Sequence, residues 1–245
     1  MDALILCGGF ATRLEPITLF VPKPLLPIGG RPILDHITEG LDLPEIDRVV
    51  VSVNKKFENQ FMHWADCRRS QNFKKEIELV VEPTTSHGSK FGAIKGIDYA
   101  IEKAGLGDDL LIIAGDNFYE FRMASMLSEA KSGHKAPTVC VYDVLSTEEA
   151  KKFGVVVLDK GMIADFEEKP AQPKSTLIST GIYFYPKETL GKFREYLDSG
   201  NTPDAPGYFL QWLIKRTAVK PFKMDGKWFD IGTLDTYKKV FSMFE

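Results

Sequence analysis

The segment LILCGGFATRLEPITLFVPKPLLPI, residues 4–28, decides how the chain folds. Its opening apolar run has the length of a buried strand and ends at Gly8 and Gly9, which leave the backbone free to turn. The N–H groups of these glycines, with the hydroxyl of Thr12 and the guanidinium of Arg13, would form a concave lining for the oxygens of a polyphosphate. The segment therefore predicts a phosphate-binding turn directly after the first strand.

Lys23 is a second cation in the same segment. Pro22 and Pro24 flank it, and they predict a stiff and extended backbone at this position. Glycine pairs after strands are common in ordinary turns, so the glycines alone are weak evidence for a ligand. The segment lacks the Gly-Lys-Ser/Thr of a Walker loop and the G-x-G-x-x-G of a dinucleotide site, which excludes both of those phosphate-binding classes.

Two parts of the segment carry a resemblance to a known family. Gly-Gly-x-x-Thr-Arg-Leu-x-Pro-x-Thr, followed by Pro-Lys-Pro-Leu-Leu-Pro-Ile, resembles the N-terminal signature of the sugar nucleotidyltransferases, which are also called NDP-sugar pyrophosphorylases. Within that family the chain resembles the catalytic domain of glucose-1-phosphate thymidylyltransferases and their relatives. Ala11 departs from the pattern, because the family usually has glycine there. If the position requires a positive φ, alanine costs about 1 kcal/mol.

The resemblance implies roles for the residues of this segment. Arg13 and Lys23 are implied as the catalytic cations. Arg13 would contact the β- and γ-phosphates that leave as pyrophosphate, and Lys23 would contact the α-phosphate and the attacking phosphate. The nucleotide-binding residues implied here are Leu6, Gly8, Gly9, Thr12 and Arg13.

The composition describes an ordinary globular chain of 245 residues with a net charge of −3. This mild acidity gives no electrostatic reason for binding nucleic acid or an anionic membrane, so neither is expected as a partner. No apolar run reaches the length of a membrane span and the sequence begins directly with a strand pattern, so we expect a cytoplasmic protein. Cys7, Cys67 and Cys140 are widely spaced, as is typical of buried thiols in a reducing compartment. A homo-oligomer is compatible with the sequence.

Strand and helix patterns alternate through the first half of the chain. Apolar runs predict strands at 3–7, 48–53, 76–81 and 109–114, and helical spacing predicts helices at 30–43, 56–67 and 89–104. Such alternation requires parallel pairing with right-handed crossovers, hence a doubly wound, Rossmann-like α/β sheet. Ligands bind such sheets at the carboxyl ends of the strands.

The pattern changes after residue 136. Strands are predicted at 138–142 and 178–185, and helices at 190–197, 208–217 and 233–244. Runs 153–158 and 162–167 predict a hairpin, and runs 222–224 and 227–231 predict another around Asp225-Gly226. We therefore expect a mixed sheet with β-hairpin insertions in a single domain, 1–245. The resemblance implies a nucleotide-binding half, 1–135, and a sugar-phosphate-binding half, 136–245. No hexapeptide repeat is present, so no C-terminal β-helix domain is expected.

The loop after the third strand contains Glu82 and Gly88. An ordinary turn that caps the next helix, through Ser86 or Ser89, explains it equally well. The loop also resembles the family's nucleobase-reading loop, which implies that Glu82 and Gly88 bind the base. Thymidylyl- and uridylyltransferases commonly have glutamine where this chain has Glu82. A carboxylate only accepts hydrogen bonds, and guanine offers a pair of donors that suits it, so the base is left open.

Two aspartates are candidate magnesium ligands. Asp116 comes just after the fourth strand, and a carboxylate with substrate phosphates and waters is the usual setting of Mg²⁺. A Gly-Asp turn without any ligand is also common. Leu-Ile-Ile-x-Gly-Asp-Asn resembles the family's metal-binding strand end, which implies that Asp116 binds both nucleotide and metal. Trp-Phe-Asp-Ile-Gly-Thr resembles the segment that supplies the second carboxylate, Asp230.

Short segments of the second half resemble the family's sugar-binding region. Phe-Gly-Val-Val, Glu-Lys-Pro and Ser-Thr-Gly-Ile-Tyr occur in the family's order, although each of them alone is weak evidence. They imply that Gly154, Glu168 and Gly181 contact sugar hydroxyls. Lys169 would hold the sugar phosphate.

The resemblance implies a magnesium-dependent transfer of a nucleotide to a sugar 1-phosphate, with pyrophosphate as the second product. Glucose 1-phosphate with dTTP or UTP is the favoured pair. Mannose 1-phosphate with GTP and a cytidylyl transfer are the alternatives within the family. An alternative from another class is a non-catalytic, pyrophosphorylase-like regulatory subunit. The charged site residues that such a subunit would lose are all present: Arg13, Lys23, Asp116, Lys169 and Asp230.

Overall fold

The computed structural model describes residues 1–71, 73–132 and 135–244. The strands are β1 (Asp2–Cys7), β2 (Pro27–Ile28), β3 (Arg31–Pro32), β4 (Arg48–Asn54), β5 (Glu76–Glu82), β6 (Leu110–Ala114), β7 (Asn117–Tyr119), β8 (Thr138–Asp143), β9 (Gly154–Asp159), β10 (Met162–Glu168), β11 (Leu177–Tyr185), β12 (Lys220–Lys223) and β13 (Trp228–Asp230). The helices are α1 (Ile33–Glu39), α2 (Glu58–Ser70), α3 (Ala93–Lys103), α4 (Met123–Lys131), α5 (Thr147–Ala150), α6 (Lys187–Asp198), α7 (Pro206–Leu213) and α8 (Leu234–Phe241).

The central sheet is mixed, as the sequence predicts. Its main path runs β10-β9-β11-β6-β1-β4-β5, and β8 and β12 extend from β11. The strands β6, β1, β4 and β5 are parallel, whereas β11 is antiparallel to β6. Strands from both predicted halves therefore share one sheet.

The parallel strands are buried on both faces because helices cover both sides of the sheet. Along β1, Ala3, Ile5 and Cys7 face one core. Leu4 faces the other. The first core is completed by residues of α1, α2 and α4, and the second by residues of α3, α6 and α7. This is the two-sided burial that a continuous apolar strand predicts.

One predicted hairpin is confirmed and one is wrong. β9 and β10 pair around a tight turn, with Asp159 opposite Met162. The runs on either side of Asp225-Gly226 do not pair with each other. β12 joins β8 in parallel, and β13 joins β7 in a separate two-stranded sheet. Glu120 N–H donates to the Lys227 carbonyl at 2.9 Å, so the turn carries the chain from one sheet to the other.

The backbone at Lys23 also differs from the prediction. Lys23–Leu25 forms a 3₁₀ turn, in which Leu26 N–H donates to the Lys23 carbonyl at 3.0 Å. The fixed φ of Pro24 suits the second position of a turn, where its missing N–H costs nothing. The expected extended arm is therefore wrong, although Lys23 is still held by a stiff segment. Within the described residues, no helix combines the length and the apolar content that crossing a membrane requires.

Candidate active site

The loop after β1 turns through a left-handed residue into a 3₁₀ turn. Ala11 has a φ of 46°, so the position that usually holds glycine in the family does require a left-handed backbone. Thr12–Leu14 follows as a 3₁₀ turn, with Thr12 and Arg13 exposed. The buried Asn54 at the end of β4 donates to the Gly8 carbonyl at 3.2 Å, which ties the loop to the sheet.

Lys23 and Asp116 meet at the carboxyl end of the sheet. Lys23 Nζ donates to Asp116 Oδ2 at 2.7 Å. The Lys23 side chain is only 13% exposed and that of Asp116 is 34% exposed. The cation that comes from the proline-rich segment is thus directed at the carboxylate that follows β6.

Asp230 lies beside Asp116 because β13 pairs with β7. Asp230 is opposite Asn117 in that pair, and Ile231 N–H donates to the Asp116 carbonyl at 3.1 Å. Burial, followed by the negative charge of Asp116, raises the pKa of Asp230 to about 6. Three cations oppose this rise in pKa: Lys23, Arg13 and Lys169. The charged residues that the sequence places far apart therefore share one electrostatic environment.

This carboxylate pair suits a magnesium ion. Among the residues described, no three His, Cys, Asp or Glu side chains are grouped as a metal site. Mg²⁺ is usually bound by one or two carboxylates, and substrate phosphates and water supply the rest. Burial is the larger cause of the raised pKa of Asp230, and the negative charge of Asp116 is the second, so the two carboxylates are close enough to repel each other. Asp116 and Asp230 thus fit the donor set and the charge that such an ion needs.

Glu168 and Lys169 lie at the end of β10. Burial raises the pKa of Glu168, and the charge of Lys169 partly offsets this. Lys169 Nζ lies 3.8 Å from Glu168 Oε1, and the Lys169 side chain is 59% exposed. Lys169 itself has a φ of 48°, and its N–H donates to the Phe153 carbonyl at 3.0 Å. The exposed ammonium group of Lys169 is near enough to Asp230 to lower its pKa.

The two glycines of the predicted sugar site, Gly154 and Gly181, lie against side chains of the site. A Cβ at Gly154 would overlap the Phe166 ring and lie 3.1 Å from Glu168 Oε2. Gly181 has a φ of 80° in an irregular part of β11, and a Cβ there would lie 3.2 Å from Asn117 Nδ2. Asn117 is a residue that the sequence analysis missed. Its Nδ2 donates to the Thr180 carbonyl at 2.6 Å, which joins β7 to β11 beside Asp116.

Glu82 lies beneath the first loop. Its Oε1 accepts from Ser52 Oγ at 2.8 Å, and a Cβ on Gly8 would lie 2.5 Å from the same oxygen. Burial raises the pKa of Glu82, and the hydrogen bond from Ser52 opposes the rise. Leu6 contributes its carbonyl, which accepts from Gly115 N–H at 3.0 Å. Leu6, Gly8 and Glu82 are therefore brought together at this end of the sheet.

Gly88 lies on the exposed 3₁₀ turn His87–Ser89. Ser86 and Ser89 form a capping box across that short turn, so the predicted capping of the following helix by either serine is wrong. α3 begins later, after Gly92. Its first N–H groups, of Ala93 and Ile94, donate to the carbonyls of Asp204 and Pro203 at 2.7 and 2.9 Å.

The fold and this site together define an α/β protein with cations and carboxylates gathered at the carboxyl end of a mixed sheet. The family model described as "Nucleotidyl transferase" matches residues 2–245. The chain belongs to that family.

Three known proteins illustrate the relationship. The bifunctional protein GlmU of Methanocaldococcus jannaschii is 32% identical over 233 residues, which cover 95% of this chain and 51% of the relative. The mannose-1-phosphate guanyltransferase of Gibberella zeae is 28% identical, covering 95% of this chain and 61% of the relative. A solved structure of UDP-glucose pyrophosphorylase with UDP-glucose has a TM-score of 0.82 and covers 99% of this chain and 97% of its own, at 20% identity. The chain spans half to two thirds of the length of the curated relatives it matches.

Proposed function

We propose that this protein is a magnesium-dependent sugar-1-phosphate nucleotidyltransferase, which joins a nucleoside triphosphate and a sugar 1-phosphate into an NDP-sugar and pyrophosphate. One observation carries the proposal. Arg13, Lys23 and Lys169 all act electrostatically on Asp230, next to Asp116, although the chain places them far apart. Three cations and two carboxylates around one point suit a cluster of phosphates with a metal ion.

The chemistry asks little of the protein beyond alignment and charge. The second pKa of a phosphate monoester is about 6, so a sugar 1-phosphate is mostly dianionic near neutral pH. Its oxygen is therefore nucleophilic enough to attack the α-phosphorus without a dedicated general base. The protein has to hold the two substrates in line and neutralise the charge that collects on the phosphates.

Each cation has a role in that arrangement. Arg13, exposed after the first loop, would hold the β- and γ-phosphates that leave as pyrophosphate. Lys23 would contact the α-phosphate and the attacking phosphate, and Lys169 would hold the sugar phosphate. Asp116 and Asp230 would hold Mg²⁺, which neutralises charge on the nucleotide oxygens when bound.

The remaining residues would orient the substrates. The nucleotide would lie over the loop after β1 and against Glu82, in contact with Leu6, Gly8, Gly9, Thr12 and Gly88. The carboxylate of Glu168, whose side chain is 13% exposed, would accept hydrogen bonds from sugar hydroxyls. Gly154 and Gly181 would let the sugar approach the backbone.

We propose glucose 1-phosphate with dTTP or UTP as the substrates. A second candidate, mannose 1-phosphate with GTP, is supported by Glu82, because a carboxylate suits the paired donors of guanine. The mannose-1-phosphate guanyltransferase of Gibberella zeae is among the relatives, which adds support for this candidate.

A matrix of substrates tests the proposal. The purified protein is incubated with each of dTTP, UTP, GTP, CTP and ATP against glucose 1-phosphate and mannose 1-phosphate, with MgCl₂ or with EDTA, and pyrophosphate release is measured. We expect release with one nucleotide and sugar pair well above the others, and none with EDTA. Release in no combination would contradict the enzyme class and favour a non-catalytic subunit, and release that survives EDTA would contradict the metal.

A further inference from the structure

Glu82 is wedged between two glycines. Its Oε1 would lie 2.5 Å from a Cβ on Gly8 and 2.9 Å from a Cβ on Gly96. Both distances are shorter than real Cβ contacts, so the carboxylate occupies the room that side chains at these positions would need. Ser52 Oγ donates to the same oxygen at 2.8 Å, which leaves Oε2 as the oxygen without that bond.

Glu168 has the same arrangement on the other side of the site. A Cβ on Gly207 would overlap its Oε2, and a Cβ on Gly154 would lie 3.1 Å from the same oxygen. The Phe166 ring fills the rest of the space between these two glycines. Glu82 and Glu168 therefore each lie against one glycine of a loop or strand and one glycine of a helix.

The two helix glycines are the unexpected ones. Gly96 lies inside α3 and Gly207 lies in the first turn of α7. Glycine inside a helix is destabilising relative to alanine, so a helix that keeps one normally has a packing reason. At Gly96 that reason is the Glu82 oxygen, which stands where a Cβ would be, and at Gly207 it is the Glu168 oxygen together with the Phe166 ring, 2.7 Å from the added Cβ. The φ of neither glycine is positive, so backbone conformation does not require glycine there.

The two helices are also tied to each other. The carbonyls of Pro203 and Asp204, just before α7, accept from the first two N–H groups of α3. Gly92 has a φ of 81°, and a Cβ there would lie 2.5 Å from the Pro203 carbonyl oxygen. Lys90 Nζ adds a 3.2 Å ion pair to Asp204 Oδ1. The beginnings of α3 and α7 are therefore fixed relative to each other.

We propose that Gly96 and Gly207 are positioning residues, through which α3 and α7 set the depth of the carboxylates of Glu82 and Glu168 in the substrate site. The inference rests on the proposed roles of Glu82 toward the base and Glu168 toward the sugar. In this proposal the two glycines act through the carboxylates and not by a contact of their own with substrate. A methyl group would lie 2.9 Å from Glu82 Oε1 at Gly96 and would overlap Glu168 Oε2 at Gly207, so each carboxylate would have to shift, the second one further. Hydrogen bonds from such a displaced carboxylate are weaker.

Two matched variants test this. Gly96→Ala and Gly207→Ala each add one methyl group to a buried helix position, so each is the control for the other. KM is measured for both substrates, using the pair with the highest turnover in the matrix. We expect Gly207→Ala to raise KM for the sugar 1-phosphate roughly tenfold or more and to leave KM for the nucleotide within about twofold. We expect the reverse for Gly96→Ala. Gly191→Ala, in α6 with no atom within 4 Å of the added Cβ, should change neither KM.

Parallel rises in both KM values for one variant, or no rise in either, would overturn the proposal, because a general packing defect has no reason to discriminate between substrates. Glu168→Gln and Glu82→Gln separate this failure from that of the proposed function. If Glu168→Gln leaves the KM for the sugar 1-phosphate unchanged, the role of Glu168 is wrong. If Glu168→Gln raises it and Gly207→Ala does not, only the positioning role is wrong.

If Gly207→Ala folds poorly, a second substitution, Glu168→Asp, tests whether the added methyl group acts through Glu168. Glu168→Asp shortens the side chain and withdraws the oxygens from the added methyl group, while the Phe166 ring still lies 2.7 Å from it, so the rescue is expected to be partial. We expect Gly207→Ala combined with Glu168→Asp to melt higher than Gly207→Ala alone, and the two changes to be non-additive in the KM for the sugar 1-phosphate. Additive effects on both melting temperature and KM would show that Gly207 does not act through Glu168.

Discussion

Lys23 Nζ lies 2.7 Å from Asp116 Oδ2, although the two residues are 93 positions apart in the sequence. The ammonium group partly neutralises a carboxylate that is also the neighbour of Asp230. A lysine in this position has two consequences. It steadies the pair of aspartates, and it competes with a divalent cation for one of them. Binding of Mg²⁺ to Asp116 would release Lys23 toward the substrate phosphates.

Lys23→Met should distinguish the competition of Lys23 with the metal ion from its proposed role toward the substrate phosphates. Without the competing ammonium group, the aspartates should bind Mg²⁺ about tenfold more tightly in the absence of nucleotide. The reason is that the positive charge of Lys23, which neutralises Asp116 and repels the metal ion, has been removed. Turnover should fall roughly 100-fold or more, because a cation on the α-phosphate is lost. Isothermal titration with MgCl₂ and pyrophosphate release measure the two quantities.

Lys174→Met is the control for this change. Lys174 Nζ lies 2.6 Å from Asp165 Oδ2 in an exposed pair, so its loss removes the same charge elsewhere. We expect neither metal affinity nor turnover to change there. Weaker Mg²⁺ binding by Lys23→Met would contradict the competition between the lysine and the metal.

The parallel part of the fold could be predicted from the sequence because its strands are separate apolar runs with buried side chains on both faces. The run at 48–53, for example, is β4 (Arg48–Asn54) in the structure. The convergence of Asp116 and Arg13 follows from the rule that parallel strands present their carboxyl ends at one edge. Asp230 could be added only through the resemblance to a family, since it lies at the end of a short strand with no local signal.

Features that depend on contacts between distant residues could not be predicted. Asp225-Gly226 is a good turn signal, but a turn does not state which strands its flanks will join, and both flanks find other partners. Gly96 looks like a weak point in a helix until Glu82 is placed against it. Asn117 follows Asp116 directly, yet its bond to the Thr180 carbonyl becomes visible only when β7 and β11 are adjacent.

Asp230→Asn should make the protein more stable and less active. Burial and the charge of Asp116 raise the pKa of Asp230 from an ordinary 3.8 to about 6. Because the folded pKa exceeds the unfolded one, ionised Asp230 destabilises the fold. This penalty develops as the pH rises from about 4 to about 6 and is complete above that, at no more than about 3 kcal/mol. The variant should therefore melt several degrees higher than wild type near pH 8 without metal.

The pH dependence provides the check. The gain in melting temperature should shrink as the pH is lowered from about 8 to about 5, because wild-type Asp230 then becomes protonated. Turnover of Asp230→Asn, and of Asp116→Asn, should fall roughly 100-fold or more, since each change removes a metal ligand. Asp225→Asn, at an exposed position nearby, serves as the control. Near-normal magnesium-dependent turnover by both site variants would contradict the metal assignment.

Glu82→Gln should change the preference for the base. The side chain keeps its size, so the contacts with Gly8 and Ser52 can persist, but an amide donates as well as accepts. We expect the ratio of kcat/KM for UTP or dTTP to that for GTP to increase by about tenfold. Glu76→Gln, on the exposed start of the same strand, should leave the ratio unchanged. An unaltered ratio in Glu82→Gln would indicate that Glu82 supports Gly8 and does not read the base.

Ala11→Gly should preserve activity and relieve backbone strain. Ala11 has a φ of 46°, a conformation that costs an alanine about 1 kcal/mol and costs glycine little. The extra freedom of glycine in the unfolded chain offsets part of the gain, so we expect the free energy of unfolding to rise by less than about 1 kcal/mol. Ala205→Gly, at a φ of −102°, should instead lower it. The free energy of unfolding is measured by urea denaturation. A lower value for Ala11→Gly than for wild type would contradict the claim that the backbone of Ala11 is strained.

Lys169→Ala should weaken the binding of the sugar 1-phosphate and leave the binding of the nucleotide unchanged. Its ammonium group is exposed, lies 3.8 Å from Glu168 Oε1 and acts on Asp230, so it faces the side of the site where we place the sugar phosphate. Removing a cation from a phosphate should raise the KM for the sugar 1-phosphate by about tenfold or more, with the KM for the nucleotide within about twofold. The loss should also raise the pKa of Glu168 further, because Lys169 is the charge that opposes its rise.

Lys160→Ala is a closely matched control for this variant. Lys160 also has a positive φ, 46°, and it lies in the exposed turn between β9 and β10. Replacement by alanine therefore changes backbone preference and net charge equally in the two variants, and only Lys169→Ala removes a cation from the site. Initial rates with each substrate varied in turn distinguish them. An effect of Lys169→Ala confined to the nucleotide, or an equal effect of Lys160→Ala, would show that Lys169 does not hold the sugar phosphate.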